Sequence, residues 1–506
     1  MDNEARVTHA KKNVMYSMIT YVILMVLTLL SRKIVVSQLG DNVAGLEGLF
    51  REILNFLNLV ESGVGIAIMF SLYKPFAEGD RTQIKSLLCM YSKVYKICGT
   101  IVLVAAVFIT PFLKIFIKDS VNMLYVQGCF LLYIVDTVIT YYFSYKICLL
   151  NASQNLYIVS FWDFVFKFMR AVMQILVLMK FKSFAAYIVV QIVTNILYLI
   201  TINSIISKKF AWLKHEKVEE VKGKKQIIKN IKALFVHKIG AFVVFSTDNL
   251  LITSFLSLKI STLFMNYNMI TTFCRNFMIK IFDALTASIG NLLVEANKEK
   301  AYDIFKKLFF FNFWISSFVT ISLYNCIDSF IVVWISDKYL LSQSVVIVLL
   351  INFYIATMRL SVDKFKDSAG LYYEDRYAPI FEAVINLVSS IILVRKMGLI
   401  GIFIGTLISN LSVIFWIKPK IVFNNIFKKS FFEYLAYYLR YICYSIVPFI
   451  LTRISFRFIS SDNSIINFLI RVILSIVIIN LTYVAMFYKK EEFKYYKDLI
   501  LKKILK

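Results

Sequence analysis

A stripe of polar residues recurs at helical spacing within an apolar segment near the start of the chain. Its members, at intervals of 4, 3, 4 and 3, are Arg51, Asn55, Asn58, Ser62 and Gly65. On a helix these residues share one face about 80° wide, with Glu61 at its edge. Charged groups in an apolar segment long enough to cross a membrane are costly unless they are paired or hydrated. The stripe therefore indicates either the wall of a water-filled lumen or polar contacts that join helices.

Other apolar segments also carry charged residues at helical spacing. One has an Asp–Lys pair followed by a guanidinium, formed by Asp163, Lys167, Arg170 and Gln174. A later segment has polar residues on two neighbouring faces, including Arg275, Lys280 and Asp283. Asp136 shares a face with a tyrosine and a threonine, and Asp248 lies in a segment of its own. Structural interpretations are open as well: a self-neutralising cluster for the first set, a Lys280–Asp283 pair for the second and a hydrogen-bonded Asp136.

The composition places these segments in a membrane protein. Of 506 residues, 59% are apolar and only 17% are charged, which is far from the composition of a soluble domain. Apolar runs recur at a length of about twenty residues, which indicates helices rather than the shorter alternating strands of a transmembrane barrel. A turn is predicted at Leu39–Asp41, between the first two spans. We predict an all-α polytopic membrane protein with about fourteen transmembrane helices, at 14–38, 49–72, 88–110, 123–149, 156–180, 183–206, 233–257, 264–293, 308–334, 341–362, 377–394, 399–417, 434–452 and 464–487.

The basic residues predict the orientation of these spans. The net charge is +26, and most Lys and Arg of the connections lie on the side that holds both termini, above all in 207–232. By the positive-inside rule we expect both termini to be cytoplasmic. Charged residues at span ends that we expect to snorkel to the interface are Arg359, Asp363, Lys364 and Arg376. The seven cysteines form no CxxC pair, and the three histidines lie in or beside predicted cytoplasmic segments, so we expect no metal and no cofactor.

The order of elements repeats within the chain. Ser62–Tyr95 and Phe282–Trp314 each contain the end of a helix with small residues, a charged turn and the amphipathic start of the next span. Internal repeats of this kind are characteristic of transporters. We therefore predict two pseudo-symmetric six-helix bundles and two further helices. The predicted parts are 1–206, a cytoplasmic basic linker at 207–232, 233–425, and 426–506 with two transmembrane helices and a basic tail.

Five stretches of the chain resemble one family. Ser31–Phe50 and Leu57–Asp80 are similar to the opening of bacterial Wzx-like polysaccharide flippases, within the multidrug/oligosaccharidyl-lipid/polysaccharide exporter superfamily. Asp248–Leu258, Ala287–Asn297 and Tyr373–Ser409 match the same pattern, so the resemblance covers nearly the whole chain. It implies two six-helix bundles around a central cavity that is bordered by helices 1, 2, 7 and 8 and opens alternately to the two faces. It also implies that an undecaprenyl-diphosphate-linked oligosaccharide moves from the inner to the outer leaflet.

The resemblance assigns roles to the polar residues. A diphosphate needs multidentate donors as it leaves water, and guanidinium groups supply them, so Arg32, Arg51 and Arg275 are the best candidates. The predicted substrate-binding residues are Arg32, Arg51, Asn55, Asn58, Arg170, Arg275 and Lys280. The residues predicted to couple ions or pair charges are Glu61, Asp136, Asp163, Asp248 and Asp283. Expected partners are the lipid-linked oligosaccharide and membrane lipids, then polymerase and glycosyltransferases of the same pathway, and no nucleic acid.

Three other functions remain open at this point. A Na+- or H+-coupled multidrug or cation antiporter of the same superfamily would need an acid-lined cavity, whereas the predicted spans carry Arg or Lys. A membrane glycan polymerase or ligase would need a large external loop, and no external connection exceeds roughly fifteen residues. A lipid scramblase or receptor without directed transport would share every feature except the repeat. We therefore expect a bacterial cytoplasmic-membrane flippase that is not an enzyme and has no catalytic residues.

Overall fold

The structure is a computed structural model, and it describes residues 3–61, 64–153, 155–221, 224–225, 227–228, 247–295, 297–371, 373–457 and 464–504. The chain divides into two compact units, Met1–Thr262 and Leu263–Lys506. We call them unit 1 and unit 2, and describe each by itself. The described residues fold as helices and their connections, so the predicted all-α polytopic fold is confirmed.

Unit 1 consists of eight described α-helices. They are α1 (Asn3–Leu57), α2 (Val64–Glu78), α3 (Arg81–Ile109), α4 (Met123–Phe143), α5 (Ile147–Ala152), α6 (Leu156–Phe181), α7 (Phe184–Lys209) and α8 (Asp248–Phe255). The first helix contains a break at Gly40, where φ is 81°. Only glycine adopts this backbone conformation readily. The predicted turn at Leu39–Asp41 is thus confirmed, and it separates two helical arms of α1.

The second predicted span is interrupted. We expected one straight helix over 49–72, but α1 ends at Leu57, a 3-10 turn follows at Asn58–Glu61, and α2 begins at Val64. The hydroxyl of Tyr141 donates to Asn58 Oδ1 at 2.9 Å, and the hydroxyl of Tyr95 donates to Glu61 Oε1. These two contacts hold the turn from outside the helix. The prediction that the polar stripe continues along one helix face past Leu57 is therefore wrong, and Ser62 lies outside the described residues.

Unit 2 contains the remaining helices, and the division between the units falls within α9. The described α-helices are α9 (Leu258–Asp283), α10 (Thr286–Glu295), α11 (Lys298–Trp334), α12 (Gln343–Met358), α13 (Leu360–Ser368), α14 (Ala378–Met397), α15 (Leu399–Ser409), α16 (Phe415–Val422), α17 (Phe431–Phe456), α18 (Ser464–Phe487) and α19 (Glu491–Ile504). Two π-helical turns flank α16, at Asn410–Ile414 and Phe423–Phe427. The predicted span 264–293 is broken between α9 and α10, just as the second span is broken in unit 1.

Ten helical segments of the described chain are long and apolar enough to cross a membrane. The count of fourteen stays a prediction. More than half of the predicted span 233–257 lies outside the described residues, as do residues 222–223, 226 and 229–232 of the predicted linker 207–232. Helix α6 is long enough at 26 residues, but it carries Asp163, Lys167 and Arg170 and is not among the ten. The boundaries of the predicted domains likewise stay a prediction.

The local structure of the predicted repeat agrees in the two units. After α2, the side chain of Asp80 caps α3 by accepting from the backbone nitrogen of Gln83 at 2.9 Å. After α10, Asn297 caps α11 by accepting from the nitrogen of Lys300 at 2.9 Å. An Asp or Asn at this position satisfies one of the unpaired donors of the first helical turn. Each charged turn of the repeat therefore ends one helix and starts the next by the same device.

The closest helix packing that we find in unit 2 is the hairpin of α14 and α15. Gly401 and Gly405 form a GxxxG pattern on α15, which lets two helix backbones approach each other. A Cβ atom on Gly401 would overlap the carbonyl oxygen of Leu393, and one on Gly405 would lie 2.7 Å from the backbone nitrogen of Ser390. Neither backbone atom can move without separating the helices. Small residues at these positions are therefore a condition of the hairpin.

We predict that Gly401→Ala lowers the unfolding temperature of the purified protein in detergent. Overpacking of this kind typically costs about 1–3 kcal/mol. The matched control is Gly128→Ala in α4, because no atom lies within 4 Å of its added Cβ. Fluorescence-detected gel filtration after heating measures both variants. Equal melting curves for the two variants would contradict the close approach of α14 and α15.

Candidate functional site

The break in α1 brings together three charged residues that we call the Glu47 cluster: Arg32, Glu47 and Arg51. Arg32 Nη1 donates to Glu47 Oε2 at 3.4 Å and to the carbonyl oxygen of Ala44 at 3.1 Å. Arg51 Nη2 donates to Glu47 Oε1 at 2.9 Å. The side chains of Arg32 and Glu47 are 3% and 8% exposed, whereas that of Arg51 is 54% exposed. One carboxylate thus holds two guanidinium groups, and only Arg51 is presented outward.

The Glu47 cluster separates two arginines that were both predicted to bind substrate. Arg32 was expected to contact substrate, but it is buried as the partner of Glu47. With two cations and one anion, the cluster keeps a net charge of about +1, carried outward by Arg51. Sequence reasoning missed Glu47, although its position four residues before Arg51 is the spacing of an i,i+4 ion pair. The carboxylate positions the exposed guanidinium and lowers the cost of burying its partner.

Aromatic residues from three helices surround the cluster. Tyr133 of α4 and Tyr187 of α7 are close enough to Arg51 to interact with it electrostatically. Phe50, the residue before Arg51 in α1, has its ring centroid 5.7 Å from that of Tyr133 and 6.3 Å from that of Phe184. Both tyrosines and Phe184 are buried. Packed aromatic rings therefore adjoin the cluster, and Glu47 is the observed contact of the Arg51 guanidinium.

Asn55 and Asp248 lie near a second acidic residue of α1. Asn55 Nδ2 donates to Glu52 Oε2 at 3.4 Å. Asp248, at the start of α8, interacts electrostatically with Glu52. Its Oδ1 atom is buried and accepts no hydrogen bond from any residue that the structure describes. Two carboxyl groups in such proximity favour a shared proton or a bound cation, because their charges repel each other.

Asn58 and Glu61 accept hydrogen bonds from two tyrosines of unit 1, one of which lines a cavity. Their partners, Tyr141 and Tyr95, pack with ring centroids 5.7 Å apart. The adjoining cavity has a volume of about 340 Å³. Its lining includes Gly65, Met69, Tyr91, Tyr95, Cys148 and Asn151. The Oδ1 atom of Asn151 is buried there without a hydrogen-bond partner among the described residues.

The charged residues of α4 and α6 have structural partners. Asp136 accepts from Gln191 Nε2 at 2.8 Å and from Asn195 Nδ2 at 2.7 Å, which ties α4 to α7. Asp163 pairs with Lys167 within α6 at 2.8 Å. Arg170 Nε donates to Thr194 Oγ1 of α7 at 3.1 Å. The structural interpretations of Asp136 and of the α6 pair therefore describe the observed contacts.

In unit 2, the carboxylate of Asp363 joins charged residues from three helices. It accepts from Arg359 Nε at 3.3 Å and from Lys418 Nζ at 2.8 Å, while Arg359 Nη1 donates to Asn410 Oδ1 at 2.8 Å. Arg275 of α9 interacts electrostatically with both Arg359 and Asp363. The expectation that Arg359 snorkels to the interface is wrong, because Arg359 is buried and its guanidinium is bound by protein groups. Arg275 thus lies beside a cluster of two cations and one carboxylate.

Asp283 forms an ion pair with a neighbouring helix. It accepts from Lys364 Nζ of α13, a partner that the spacing within its own helix does not predict. Helix α9 ends at Asp283, so the side chain can reach beyond its own helix face. Among the other residues expected to snorkel, Arg376 lies over the ring of Tyr373 at 3.6 Å from its centroid. Three of the predicted site residues, Arg275, Lys280 and Asp283, therefore belong to unit 2, whereas the Glu47 cluster belongs to unit 1.

Comparisons with solved structures agree with this helical arrangement. The structure entitled lipid II flippase MurJ, inward closed conformation, matches with a TM-score of 0.69 and 13% identity, over 95% of this chain and 99% of that one. An inward-facing multidrug resistance MATE family transporter of the MOP superfamily matches with a TM-score of 0.58 and 14% identity, over 78% of this chain and 94% of that one. The Vibrio cholerae MATE transporter VcmN in the bent form matches with a TM-score of 0.54 and 12% identity, over 82% of this chain and 96% of that one.

The chain shares the fold of these structures. No family model and no curated protein sequence matches it. Because the identities to these structures are low, the likeness concerns the fold. In the described part of unit 1, the Glu47 cluster combines a buried ion pair with an exposed cation.

We predict that Glu47→Gln strongly destabilises the protein, because it leaves the buried guanidinium of Arg32 without its counter-charge. Breaking a buried pair from one side costs about 3–5 kcal/mol. The matched control is Glu78→Gln, which removes the exposed Lys74–Glu78 pair and should cost at most about 1 kcal/mol. Unfolding temperature in detergent is the measurement.

A double variant tests the cause of this loss. Arg32→Met together with Glu47→Gln removes both buried charges, and replacing a buried pair by neutral side chains is often close to neutral in stability. We expect the double variant to recover most of the unfolding temperature lost in Glu47→Gln. A Glu47→Gln variant as stable as Glu78→Gln would show that the Arg32–Glu47 pair does not support the fold.

Proposed function

We propose that the protein is a Wzx-like flippase that moves undecaprenyl-diphosphate-linked oligosaccharide units across the bacterial cytoplasmic membrane for surface polysaccharide biosynthesis. The observation that carries the proposal is the half-exposed guanidinium of Arg51, fixed by Glu47. A guanidinium in a preorganised position suits a diphosphate, since its planar donors match phosphate oxygens in pairs. Asn55, on the same arm of α1, and Asn58, in the 3-10 turn that follows it, offer amide groups for phosphate or sugar hydroxyls.

The extent of the fold likeness favours a lipid-linked substrate. The MurJ structure, whose title names a lipid II flippase, aligns with 95% of this chain, whereas the two MATE structures align with 78% and 82%. The larger coverage is what a chain with helices beyond two six-helix bundles would give. In the proposed orientation both termini are cytoplasmic, and the substrate is loaded from the inner leaflet by the enzymes that assemble it.

The membrane potential suffices to bias this transport. Export of a diphosphate moves negative charge outward, along an inside-negative potential. Each elementary charge gains about 2.3 kcal/mol per 100 mV, so the two charges gain roughly 5 kcal/mol at a potential of about 100 mV. A coupled ion is therefore not required by the energetics, although Glu52 and Asp248 would offer a place for one.

A second candidate function is a Na+- or H+-coupled cation antiporter. The specific observation in its favour is the pair Glu52 and Asp248, with a buried Asp248 oxygen that has no hydrogen-bond partner among the described residues. Carboxyl groups in this situation bind protons or small cations readily. Against it, the exposed cation of the Glu47 cluster would repel a cationic drug.

We predict that Arg51→Gln slows flipping of a fluorescent undecaprenyl-diphosphate-linked oligosaccharide in proteoliposomes by about tenfold or more. Loss of a hydrogen bond to a charged group costs about 1.5–3 kcal/mol, and about 1.4 kcal/mol is tenfold. The matched control is Arg440→Gln, since Arg440 is an exposed arginine of α17 in unit 2. Both variants are compared with the wild type at equal reconstitution.

The outcomes separate the two candidate functions. Flipping by the wild type and by Arg440→Gln, with loss in Arg51→Gln, supports the flippase and its anion contact. Equal rates in all three proteins would remove Arg51 from the substrate path. A wild type that leaves the lipid-linked sugar in place but exchanges a small cation for Na+ or H+, in an Asp248-dependent manner, would overturn the flippase in favour of the antiporter.

A further inference from the structure

Three arginines converge at one end of the α17–α18 hairpin in unit 2. Arg453 and Arg457 lie one turn apart near the end of α17, and Arg471 lies within α18. All three line a cavity of about 410 Å³, together with Phe449, Ile450, Ile454 and Phe456. We call this cavity the arginine cavity. It lies at the end of the hairpin where α17 ends and α18 begins.

The positive charge of the arginine cavity is not neutralised by the described residues. Within residues 3–457 and 464–504, as far as the structure describes them, none of the three arginines forms an ion pair with a carboxylate. Arg471 is fixed by Asn467 Oδ1 at 3.0 Å and by the carbonyl oxygen of Asn325 at 3.3 Å. Arg453 lies over the ring of Tyr324, 5.4 Å from its centroid. Neutral groups thus hold Arg453 and Arg471 in place, and no described carboxylate cancels their charge.

A second cavity, which is apolar, adjoins the first. It has a volume of about 540 Å³ and lies between α11, α12, α16 and α17. Phe449 lines both cavities, and Tyr324, which carries Arg453, lines the apolar one. Along α17 the apolar cavity extends from Phe449 to Tyr438, which is about 16 Å at 1.5 Å per residue. A cationic site and an apolar channel are therefore joined end to end.

We propose that this compound site binds an anionic membrane phospholipid. Its phosphate pairs with Arg453, Arg457 and Arg471, and one acyl chain occupies the apolar cavity. A chain of one leaflet reaches about half of the roughly 30 Å hydrocarbon core, or about 15 Å, which matches the length of the cavity. A polyprenyl chain is several times longer and would leave most of its length outside. The site belongs to unit 2 and does not depend on the proposed transport substrate.

Known effects of helix ends and interfaces do not account for the convergence. A helix C-terminus attracts cations, which explains the positions of Arg453 and Arg457. It does not explain the position of Arg471, which belongs to the other helix of the hairpin and lines the same cavity. Snorkelling would send each side chain separately toward headgroups. Three guanidinium groups around one cavity instead form a site for a single phosphate group.

Native mass spectrometry of the full-length, delipidated protein tests the proposal with palmitoyl-oleoyl phosphatidylglycerol as the probe. We expect one tightly bound phosphatidylglycerol, and an apparent Kd about tenfold or more higher for the double variant Arg453→Gln/Arg457→Gln, because two charge-assisted contacts are lost. Arg440→Gln, on the same helix, should bind like the wild type. Ile446→Trp, which fills the apolar cavity while keeping all three arginines, should also weaken binding.

Binding measurements with other lipids identify the class of the ligand. Phosphatidylcholine, which is zwitterionic, should bind at least about tenfold more weakly than phosphatidylglycerol. Unchanged phosphatidylglycerol binding in the double arginine variant, shown to be folded by gel filtration, would overturn the site. Equal binding of phosphatidylcholine would overturn its anion selectivity. Displacement of phosphatidylglycerol by a tenfold lower concentration of undecaprenyl phosphate would assign the cavity to the polyprenyl carrier and overturn the phospholipid.

Discussion

The need to compensate buried charge inside a membrane governs the polar architecture of this protein. Transfer of an unpaired ion into the hydrocarbon interior costs several kcal/mol even after relaxation. Arg32 is buried, and its charge is tolerated because Glu47 and the carbonyl oxygen of Ala44 accept from it. These partners lie beyond the break at Gly40, so they can reach Arg32 only because α1 is not straight. The φ of 81° at Gly40 is therefore a requirement of the ion pair as well as a turn.

Unit 2 meets the same requirement with several carboxylates. Asp363 compensates Arg359 and Lys418, Asp283 compensates Lys364, and Lys366 Nζ lies 2.6 Å from Asp375 Oδ2. The last pair is almost fully buried, with side chains 6% and 4% exposed. The described cations of these pairs are each bound to an acidic group of the same unit. The Glu47 cluster differs in exposure: Asp363 also serves two cations, but both are largely buried, whereas Arg51 of the Glu47 cluster is half-exposed.

The sequence predicts the membrane fold better than it predicts the site. Apolar runs and their length suffice for the all-α polytopic class, and the glycine at 40 suffices for the first turn. The 3-10 turn at Asn58–Glu61 could not be predicted from helical spacing, because it is fixed by Tyr141 and Tyr95, far along the chain. The role of Glu47 was missed for a related reason. Its second partner, Arg32, lies before the break at Gly40, so a helical wheel drawn for the segment of Glu47 does not include it.

The distribution of partners also separates candidate transport residues from structural ones. A residue whose hydrogen bonds are filled by neighbouring helices, as for Asp136 with Gln191 and Asn195, has little capacity left for a substrate. Arg51 keeps most of its donors beyond its one bond to Glu47 and is half-exposed. Its charge is attenuated by the carboxylate but not cancelled, which suits reversible binding: a fully isolated guanidinium would hold a diphosphate too strongly to release it. A transporter must bind its load on one side and release it on the other, so partial compensation by Glu47 supports our proposal that Arg51, rather than Arg32, contacts the substrate.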